Sequence, residues 1–313
     1  MLARTADNLY WLSRYAERAD FVARILDAVT RLASLPASFA GERNEWESAV
    51  ESAGSLPEFK RHYEVANEST VRHFLAFNPA NPSSIRSCVE QARENARAVR
   101  TALTTEMWEA INGGWLELKG FDHGSMSREE FQRFVDWAKG FALAVDGTAY
   151  RTMLRNDAFW FTRLGSAIER ADNTARILDV KYHVLLPETE QVGGQLDYFQ
   201  WTTILREVSA FTAYHHVYRR SIKPWLVADL LVLNQQMPRS LANCYEVLVR
   251  HLDLIGDTYG RRGTSQRMAS TTRAQLQSVT IDEVFQQGLH EFITDFIDDN
   301  NKLGAAITEQ YLI

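Results

Sequence analysis

Glu17-Arg18-Ala19-Asp20-Phe21-Val22-Ala23-Arg24-Ile25-Leu26-Asp27 is repeated almost unchanged 152 residues later, as Glu169-Arg170-Ala171-Asp172-Asn173-Thr174-Ala175-Arg176-Ile177-Leu178-Asp179. Nine of the eleven positions are identical, and only Phe21 and Val22 are replaced, by Asn173 and Thr174. A match of this length at one fixed offset indicates a duplicated structural unit. The sequence therefore predicts two related multi-helix repeats, at about residues 1–150 and 151–313.

Each copy of the motif lies within a long helical pattern. The first pattern runs from Asp7, which can cap a helix, to Leu35 before Pro36. The second runs from about Asp157 to Leu186, before Pro187. Apolar residues cover most of the circumference of the first pattern, which is typical of a helix at the centre of a bundle.

The order of the later segments is repeated as well. Helical stretches that start near Trp46 and near Trp201 are 155 residues apart, and three further features recur in order. These are residues 71–78 and 227–234, the helix starts after Pro82 and Pro238, and the cysteines Cys88 and Cys244, which we expect at equivalent buried positions. Residues 281–311 form a last helical pattern with one apolar face, made of Phe285, Leu289, Phe292, Ile293 and Phe296.

No segment alternates apolar and polar residues over several strands. The predicted fold is therefore all-α, a helical bundle in which the two repeats pack as one unit, so that residues 1–313 form a single domain. The segment 260–267 is predicted to be a solvated basic loop, with phosphate binding as the weaker alternative.

Composition excludes several classes of protein. A content of 45% hydrophobic and 24% charged residues is typical of soluble globular chains. The net charge of −6 argues against nucleic-acid binding, and no run approaches the roughly 20 apolar residues of a membrane span. Met1–Asp7 lacks the apolar core of a secretory signal. Two cysteines are too few for a disulfide scaffold or a cysteine zinc site, so we expect a reducing cytoplasm.

Charged residues recur inside both copies of the motif at spacings i, i+3 and i+7. They are Glu17, Asp20 and Arg24 in the first copy, and Glu169, Asp172 and Arg176 in the second. Such a spacing places each trio on one face of its helix. If small residues let the two helices approach, the trios would meet near a pseudo-twofold axis.

Three interpretations of this cluster remain open. The first is an internal ion-pair network that fixes the register of the helices, with Asp–Arg pairs at i, i+4. The second is a polar site, in which arginines hold a carboxylate or phosphate and carboxylates act as acid or base. The third is a divalent metal; iron is disfavoured because arginine competes for the carboxylates, and magnesium remains an alternative. The sequence predicts no cofactor.

One segment of the first half has no counterpart in the second. Arg93, Arg97 and Arg100 share a predicted helical face, whereas residues 248–251 stand at the equivalent place. A single asymmetric site would leave such a difference, although an exposed basic face also explains it. Trp108 and Ile111 are predicted to be core residues, and His183 a structural histidine. Motifs of nucleotide-binding loops, zinc proteases and serine hydrolases are absent.

The chain resembles the bacterial alpha-E proteins along essentially its full length. The resemblance rests on several ordered stretches of sequence. They are Asn8-Leu9-Tyr10-Trp11 before the first motif, 92–97, Glu106-Met107-Trp108, the second motif, Gln200-Trp201 and Pro238-Arg239-Ser240. The first motif differs from the family pattern at Phe21-Val22, where Asn-Thr is usual.

The resemblance implies a setting for the protein. Such proteins look like companions of a circularly permuted ATP-grasp ligase and a transglutaminase-like peptidase, which suggests amide or peptide bond chemistry on a peptide or amino-acid-derived substrate. Within that setting, Glu17, Glu169 and Asp172 would act as acid, base or substrate ligands. An anionic peptide or acyl phosphate would be held by Asp20, Arg24, Arg93, Glu94, Asn95 and Arg176. The competing hypothesis is a non-catalytic helical scaffold that docks the ligase or presents a carrier peptide.

Overall fold

The computed structural model of the protein describes residues 1–33, 44–121, 126–183 and 195–312, and all regular elements in these ranges are helical. The predicted helix ends before Pro36 and Pro187, and the residues around Gly41, lie outside these ranges. The helices are α1 (Ala3–Leu32), α2 (Glu45–Ser52), α3 (Leu56–His62), α4 (Glu68–Ala76), α5 (Ile85–Ala98), α6 (Thr105–Leu118), α7 (Arg128–Thr152), α8 (Asp157–His183), α9 (Gln195–Glu207), α10 (Phe211–Tyr218), α11 (Pro224–Val232), α12 (Leu241–Tyr259), α13 (Thr264–Ser278), α14 (Ile281–Gln287) and α15 (Leu289–Ile307). The all-α prediction is confirmed.

α1 and α8, which carry the two copies of the motif, pack against each other at the centre of the bundle. Hydrogen-bonded pairs between them keep sequence separations of 151 to 155 residues, so the two helices run parallel and nearly in register. α5 and α7 also cover α1, while α12 and α15 cover α8. Buried apolar residues from all these helices form one continuous core.

At Gly165 the backbone of α8 lies close against the backbone of α1. A β-carbon at this position would lie 2.2 Å from the carbonyl oxygen of Tyr10, so only glycine lets the α8 backbone reach α1 here. The alanines of the motifs, Ala19 and Ala171, are also fully buried. Small side chains therefore determine how near the two charged motifs come.

The starts of the two central helices differ from each other. α1 begins at Ala3, with Leu2 as an extended N-cap that offers no side-chain bond, and Asp7 lies inside the helix. The prediction that Asp7 caps α1 was therefore wrong, because the chain was already helical four residues earlier. α8 begins at Asp157 as predicted, and the side chain of Asn156 accepts a hydrogen bond from the Ala158 amide at 3.1 Å.

The predicted helix starts after Pro82 and Pro238 are confirmed. Ser84 and Ser240 cap α5 and α12, and their hydroxyls accept hydrogen bonds from backbone amides three residues later. Cys88 and Cys244 follow within the first turn, are buried, and each lies 3.9 Å from the carbonyl oxygen of the preceding proline. α9 begins at Gln195, six residues before the predicted start at Trp201.

The C-terminal segment is two helices rather than the predicted one. Gly288 separates α14 from α15 with a φ of 105°, a backbone conformation that interrupts the helix and that glycine adopts without strain. Phe285 is 41% exposed on α14, so it does not join the buried face that Ile293 and Phe296 form on α15. The predicted loop at 260–267 is also shorter, because α13 begins at Thr264.

Several local contacts occur once in each half of the chain. Gly54 follows α2 and Ser209 follows α9 with similar φ angles of 65° and 55°. The Tyr63 hydroxyl contacts the His73 ring at 2.6 Å, and the Tyr218 hydroxyl donates to Asp229. These counterparts are separated by 155 or 156 residues, as are the sequence matches outside the central motif. No helix in the described ranges is long and apolar enough to cross a membrane.

Candidate functional site

The charged residues of the two motifs meet between α1 and α8 and exchange partners across the contact. Arg170 donates to Glu17 with Nε and Nη2, at 2.9 and 2.7 Å. Arg18 donates to Glu169 in the same way, at 2.6 and 3.1 Å. Each glutamate is thus held by the arginine that follows the other glutamate, and both are bidentate pairs.

A second arginine completes the coordination of each glutamate. Arg14, one turn before the first motif, donates to Glu169 at 2.8 Å. Arg239, just before α12, donates to Glu17 at 3.0 Å and to Asp20 at 2.7 Å. We call the set of Arg14, Glu17, Arg18, Asp20, Glu169, Arg170 and Arg239 the central cluster. Its carboxylates are almost fully buried, with 6% of Glu17 and 2% each of Asp20 and Glu169 exposed.

The predicted Asp–Arg pairs at i, i+4 are confirmed, since Arg24 bonds to Asp20 and Arg176 to Asp172, both at 2.7 Å. The remaining donors of Arg24 reach beyond the helix pair, to the Glu207 carbonyl at 2.7 Å and the Ser209 hydroxyl at 2.9 Å. Arg176 occupies the corresponding place against Gly54, where a β-carbon would lie 2.9 Å from its Nη1. Arg24 therefore ties α1 to the end of α9, and Arg176 lies against the residue that follows α2.

Neighbouring guanidinium groups keep the buried glutamates ionised. Burial alone would raise the pKa of Glu17, but Arg170 and Arg239 outweigh it and lower the pKa to about 2. Arg18 and Arg14 outweigh burial at Glu169 in the same way and lower its pKa as well. Conversely, Glu169 raises the pKa of Arg18, and Glu17 that of Arg170, against the effect of burial. The cluster therefore carries fixed charges near neutral pH.

This arrangement limits the chemistry of the cluster. A carboxylate with a pKa of about 2 and two arginine partners is a weak base, and it holds no proton to donate near pH 7. The geometry thus supports the structural interpretation of Glu17 and Glu169 more than a catalytic one. Within the described ranges, no group of three or more His, Cys, Asp or Glu side chains is arranged to hold a metal ion.

Asp172 lies at the edge of the cluster and is only partly buried, as is Arg176. Arg93, Glu94 and Asn95 lie on α5, and the contacts of Arg93 run toward α6 instead of toward the central cluster. Arg93 donates to Asn112 at 3.0 Å and to Glu94 at 3.1 Å, and lies 3.7 Å from the centre of the Trp115 ring. The residues predicted to share one site therefore fall into two groups.

The predicted face of Arg93, Arg97 and Arg100 is shorter than expected. α5 ends at Ala98, and Arg100 lies in a 3₁₀ turn, where it packs over the Trp108 ring at 5.1 Å. Ile111 is a core residue as predicted, whereas Trp108 is only partly buried against the core. The side chain of His183 lies outside the described residues.

Four arginines of the central cluster were not predicted from the sequence, namely Arg14, Arg18, Arg170 and Arg239. Arg18 and Arg170 immediately follow the motif glutamates, so a signal was present. They were left out because a single helix turns them about 100° away from Glu17 and Glu169, and only the neighbouring helix brings partners to that side.

A second feature was also missed: residues 208–228 contain no Asp or Glu, but include Arg219, Arg220, Lys223, His215 and His216. The segment contains α10, the connection after it and the first five residues of α11, and the five basic residues are exposed. Trp225 is 47% exposed beside Lys223, whose ammonium lies 5.9 Å from the ring centre. Among the described residues, Arg219, Arg220 and Lys223 form no ion pair. We call Arg219, Arg220, Lys223 and Trp225 the basic patch.

Comparison with known proteins identifies the family of this protein. The chain matches the Alpha-E family, described as a predicted alpha-helical domain with a conserved ER motif, over residues 1–312. The protein therefore belongs to the Alpha-E family, and the Glu-Arg pairs at 17–18 and 169–170 are the residues that exchange partners in the central cluster.

Two curated relatives are similar over most of the chain. They are uncharacterized proteins of Mycobacterium bovis and Mycobacterium tuberculosis, each 24% identical over 320 residues. The match covers 94% of this chain but only 35% of each relative, so the chain spans about a third of their length. No solved structure matches the chain.

Proposed function

We propose that the protein is a non-catalytic helical docking module of an amide- or peptide-bond-forming pathway, and that its partner is an ATP-grasp ligase. The observation that carries this proposal is a contrast in charge pairing. In the central cluster every arginine has a carboxylate partner, whereas the basic patch is exposed and its cations form no ion pair with a described residue. Paired, buried charges favour architecture, and unpaired, exposed cations beside an aromatic ring favour recognition.

The proposed contact is between the basic patch and an acidic surface of the ligase. The patch stands out because the chain as a whole has a net charge of −6 and residues 208–228 lack any acidic side chain. A local field of this kind steers an acidic partner and sets its orientation. Trp225 supplies a large apolar surface of the type that dominates binding energy at interfaces.

The length of the relatives supports the proposal that this chain acts as a module together with further polypeptide segments. In the two mycobacterial proteins, the matched region is accompanied by nearly twice its own length of further chain. The ATP-grasp ligase and the transglutaminase-like peptidase are the companions that the family resemblance implies. We place the pathway in the cytoplasm, where ATP is available and where the buried thiols of Cys88 and Cys244 stay reduced.

We also propose that the domain arose by duplication, with residues 1–150 and 151–313 as repeats that fold as one unit. The recurring contacts support this, from the exchanged Glu–Arg pairs to Gly54 and Ser209. The basic patch is a divergence between the repeats: at an offset of 155, Glu64 stands where the second half has Arg219. A docking surface in one repeat alone would give the ligase a single binding site.

Charge reversal tests the docking proposal. A triple variant, Arg219→Glu, Arg220→Glu and Lys223→Glu, is expected to weaken binding of the purified ligase by about tenfold or more, measured by calorimetry at low salt. The matched control reverses three other exposed arginines, Arg133, Arg151 and Arg250, which carry the same charge change to other faces. Equal binding by both triple variants, or no binding of the wild-type protein to the ligase, would overturn the proposal.

In a second candidate function, the protein binds an anionic peptide or activated acyl substrate at the central cluster. Two buried polar atoms favour it, because Asp20 Oδ1 and Asn173 Nδ2 have no hydrogen-bond partner among the described residues. Here Glu17, Glu169 and Asp172 would act on a substrate held by Arg24 and Arg176. If Glu169→Gln leaves the protein folded and product formation with the ligase and ATP unchanged, this candidate is excluded.

A further inference from the structure

A small apolar cavity lies between the central helices and α2 and α9, beyond the central cluster. Its volume is about 90 Å³, and most of its surface is apolar, supplied by aliphatic side chains such as Ile25, Ile177, Ala49 and Ile204. The other half of the lining residues are polar or charged, and Glu45 and Glu207 are the two carboxyl residues among them. The engineered cavity that holds benzene is about 150 Å³. This cavity therefore has room for a short branched aliphatic group and no more.

The wall of the cavity is built from counterparts of the two halves. Ile25 faces it with Ile177, and Ala49 with Ile204, at the same offsets of 152 and 155 that relate the sequence repeats. The polar positions diverge, since Ser52 of α2 corresponds to Glu207 of α9. Ser52 donates its hydroxyl to the Ser48 carbonyl at 2.8 Å, so its polar atom is satisfied within its own helix.

The Glu207 carboxyl has no hydrogen bond or ion pair with a described residue, although its backbone carbonyl accepts a bond from Arg24. Arg24 also donates with Nε to Asp20 and with Nη1 to Ser209. Burial, with a smaller effect of the Asp27 carboxylate, raises the pKa of Glu207 to about 8 against the opposing influence of Arg24. The carboxyl is therefore mainly protonated near pH 7 and presents both a hydroxyl donor and a carbonyl acceptor.

Glu207 also lines the larger cavity of about 630 Å³ that lies against Tyr198, Phe199 and Arg206. It thus stands where a small apolar chamber meets a wider and more polar one. A neutral carboxyl at this boundary is complementary to a primary amide. The amide N–H can donate to the carboxyl carbonyl oxygen, and the amide oxygen can accept from the carboxyl hydroxyl. A carboxylate ligand can accept a hydrogen bond from the Glu207 hydroxyl, but it has no proton to donate to the Glu207 carbonyl oxygen.

We propose that this cavity is a binding site for short, branched aliphatic amides, whose hydrocarbon end fills the chamber and whose amide group pairs with the Glu207 carboxyl. The site is separate from the basic patch, and the inference goes beyond ligase docking. Glu207 has no carboxyl counterpart in the first half, because Ser52 occupies the matched position, whereas Glu45, the other carboxyl residue of the lining, corresponds to Gln200.

Isobutyramide is the probe that tests the site. Isoleucine methyl groups are isotopically labelled in the full chain, and the δ1 methyls of Ile25, Ile177 and Ile204 report on the cavity while Ile85 and Ile111, buried elsewhere, serve as internal controls. We expect saturable shifts at the three cavity methyls, with a Kd in the range of about 1 mM that is usual for fragments. Isobutyrate at pH 7 is expected to bind at least about tenfold more weakly.

Two variants separate a specific site from general apolar binding. Glu207→Ala is expected to weaken isobutyramide binding by about tenfold, whereas Glu109→Ala, at an exposed glutamate of α6 outside the cavity, leaves it unchanged. Glu207→Gln retains a donor and an acceptor and is expected to keep binding within about threefold. The proposal is overturned if the three cavity methyls do not shift, if the control methyls shift equally, or if folded Glu207→Ala binds as tightly as the wild type.

Discussion

Glu17 on α1 and Arg170 on α8 form a bidentate ion pair, with bonds of 2.9 and 2.7 Å, across the centre of the bundle. Arg18 and Glu169 form the reciprocal pair. Because the helices are parallel, sliding one of them by a single residue would separate both pairs at once. The exchanged pairs therefore fix the register of the central helices, and buried polar groups are best attested in such a role.

Removing the charge of one partner should lower the free energy of unfolding, because the other partner is then buried without a compensating charge. Glu17→Gln is expected to lower the free energy of unfolding by about 3–5 kcal/mol, because Arg170 and Arg239 lose the charge that compensates them. The measurement is urea denaturation at pH 7. Glu94→Gln, at an exposed ion pair on α5, is the control and should change stability by less than about 1 kcal/mol.

A double variant tests whether the loss of stability comes from the lost attraction between the two residues or from a buried charge left without a partner. Combining Glu17→Met with Arg170→Met removes both members of the pair, and the loss should be smaller than for Glu17→Met alone, since one buried charge no longer stands unpaired. If the losses are simply additive, the two residues do not act as a pair in solution.

The stability contributed by Glu17 should depend on pH in the acid range. Its folded-state pKa of about 2 lies below the usual 4.5, so the unfolded chain takes up the proton first as pH falls. The contribution is thus fully present above 4.5 and is lost as pH falls through about 2; at about 1.4 kcal/mol per pKa unit it is on the order of 3 kcal/mol. The difference in unfolding free energy between wild type and Glu17→Gln should therefore shrink steadily as pH is lowered from 4.5 toward 2.

Glu207 should produce a pH dependence of the opposite sign. Its pKa of about 8 in the folded state exceeds the usual 4.5, so the unfolded chain releases the proton first as pH rises. Folding stability should fall between 4.5 and 8 relative to Glu207→Gln, which has no proton to lose there. Thermal melting of the two proteins across this range measures the effect. Parallel pH profiles would show that Glu207 is ionised already in the folded protein.

The repeated motif and the helical patterns around it were sufficient to predict the two long central helices and the Asp–Arg pairs at i, i+4, and the lack of alternating segments along the chain predicted the all-α class. These features depend on local periodicity, which a sequence displays directly. The partners of Glu17 and Glu169 could not be predicted in this way, because they come from the neighbouring helix. Arg239 was still harder to foresee, since it reaches Glu17 from a residue 222 positions away.

Two residues outside the repeated motif, Glu207 and Arg93, lie at positions where the two halves of the chain differ. Glu207 has no distinguishing pattern in sequence, and its pKa is raised by burial and by the Asp27 carboxylate, which only the folded structure brings near it. Arg93 was singled out because the second half lacks a counterpart, yet its contacts with Asn112 and Trp115 lie on α6. Spacing along one helix showed where charges lie on its surface, but not which neighbouring helix covers them.

The close approach of α1 and α8 at Gly165 gives the sharpest test of how the central cluster is assembled. Gly165→Ala would place a methyl group 2.2 Å from the Tyr10 carbonyl oxygen, so the helices must separate. We expect a loss of at least about 2 kcal/mol in unfolding free energy, within the range seen for overpacked contacts. The matched control is Gly147→Ala on α7, where a β-carbon meets no atom within 4 Å and where alanine should stabilise the helix by about 0.5–1 kcal/mol. Opposite signs for the two glycines would show that the α1–α8 contact, and with it the distance between the two Glu-Arg motifs, is set by the absence of one methyl group; a gain in stability for Gly165→Ala would contradict that geometry.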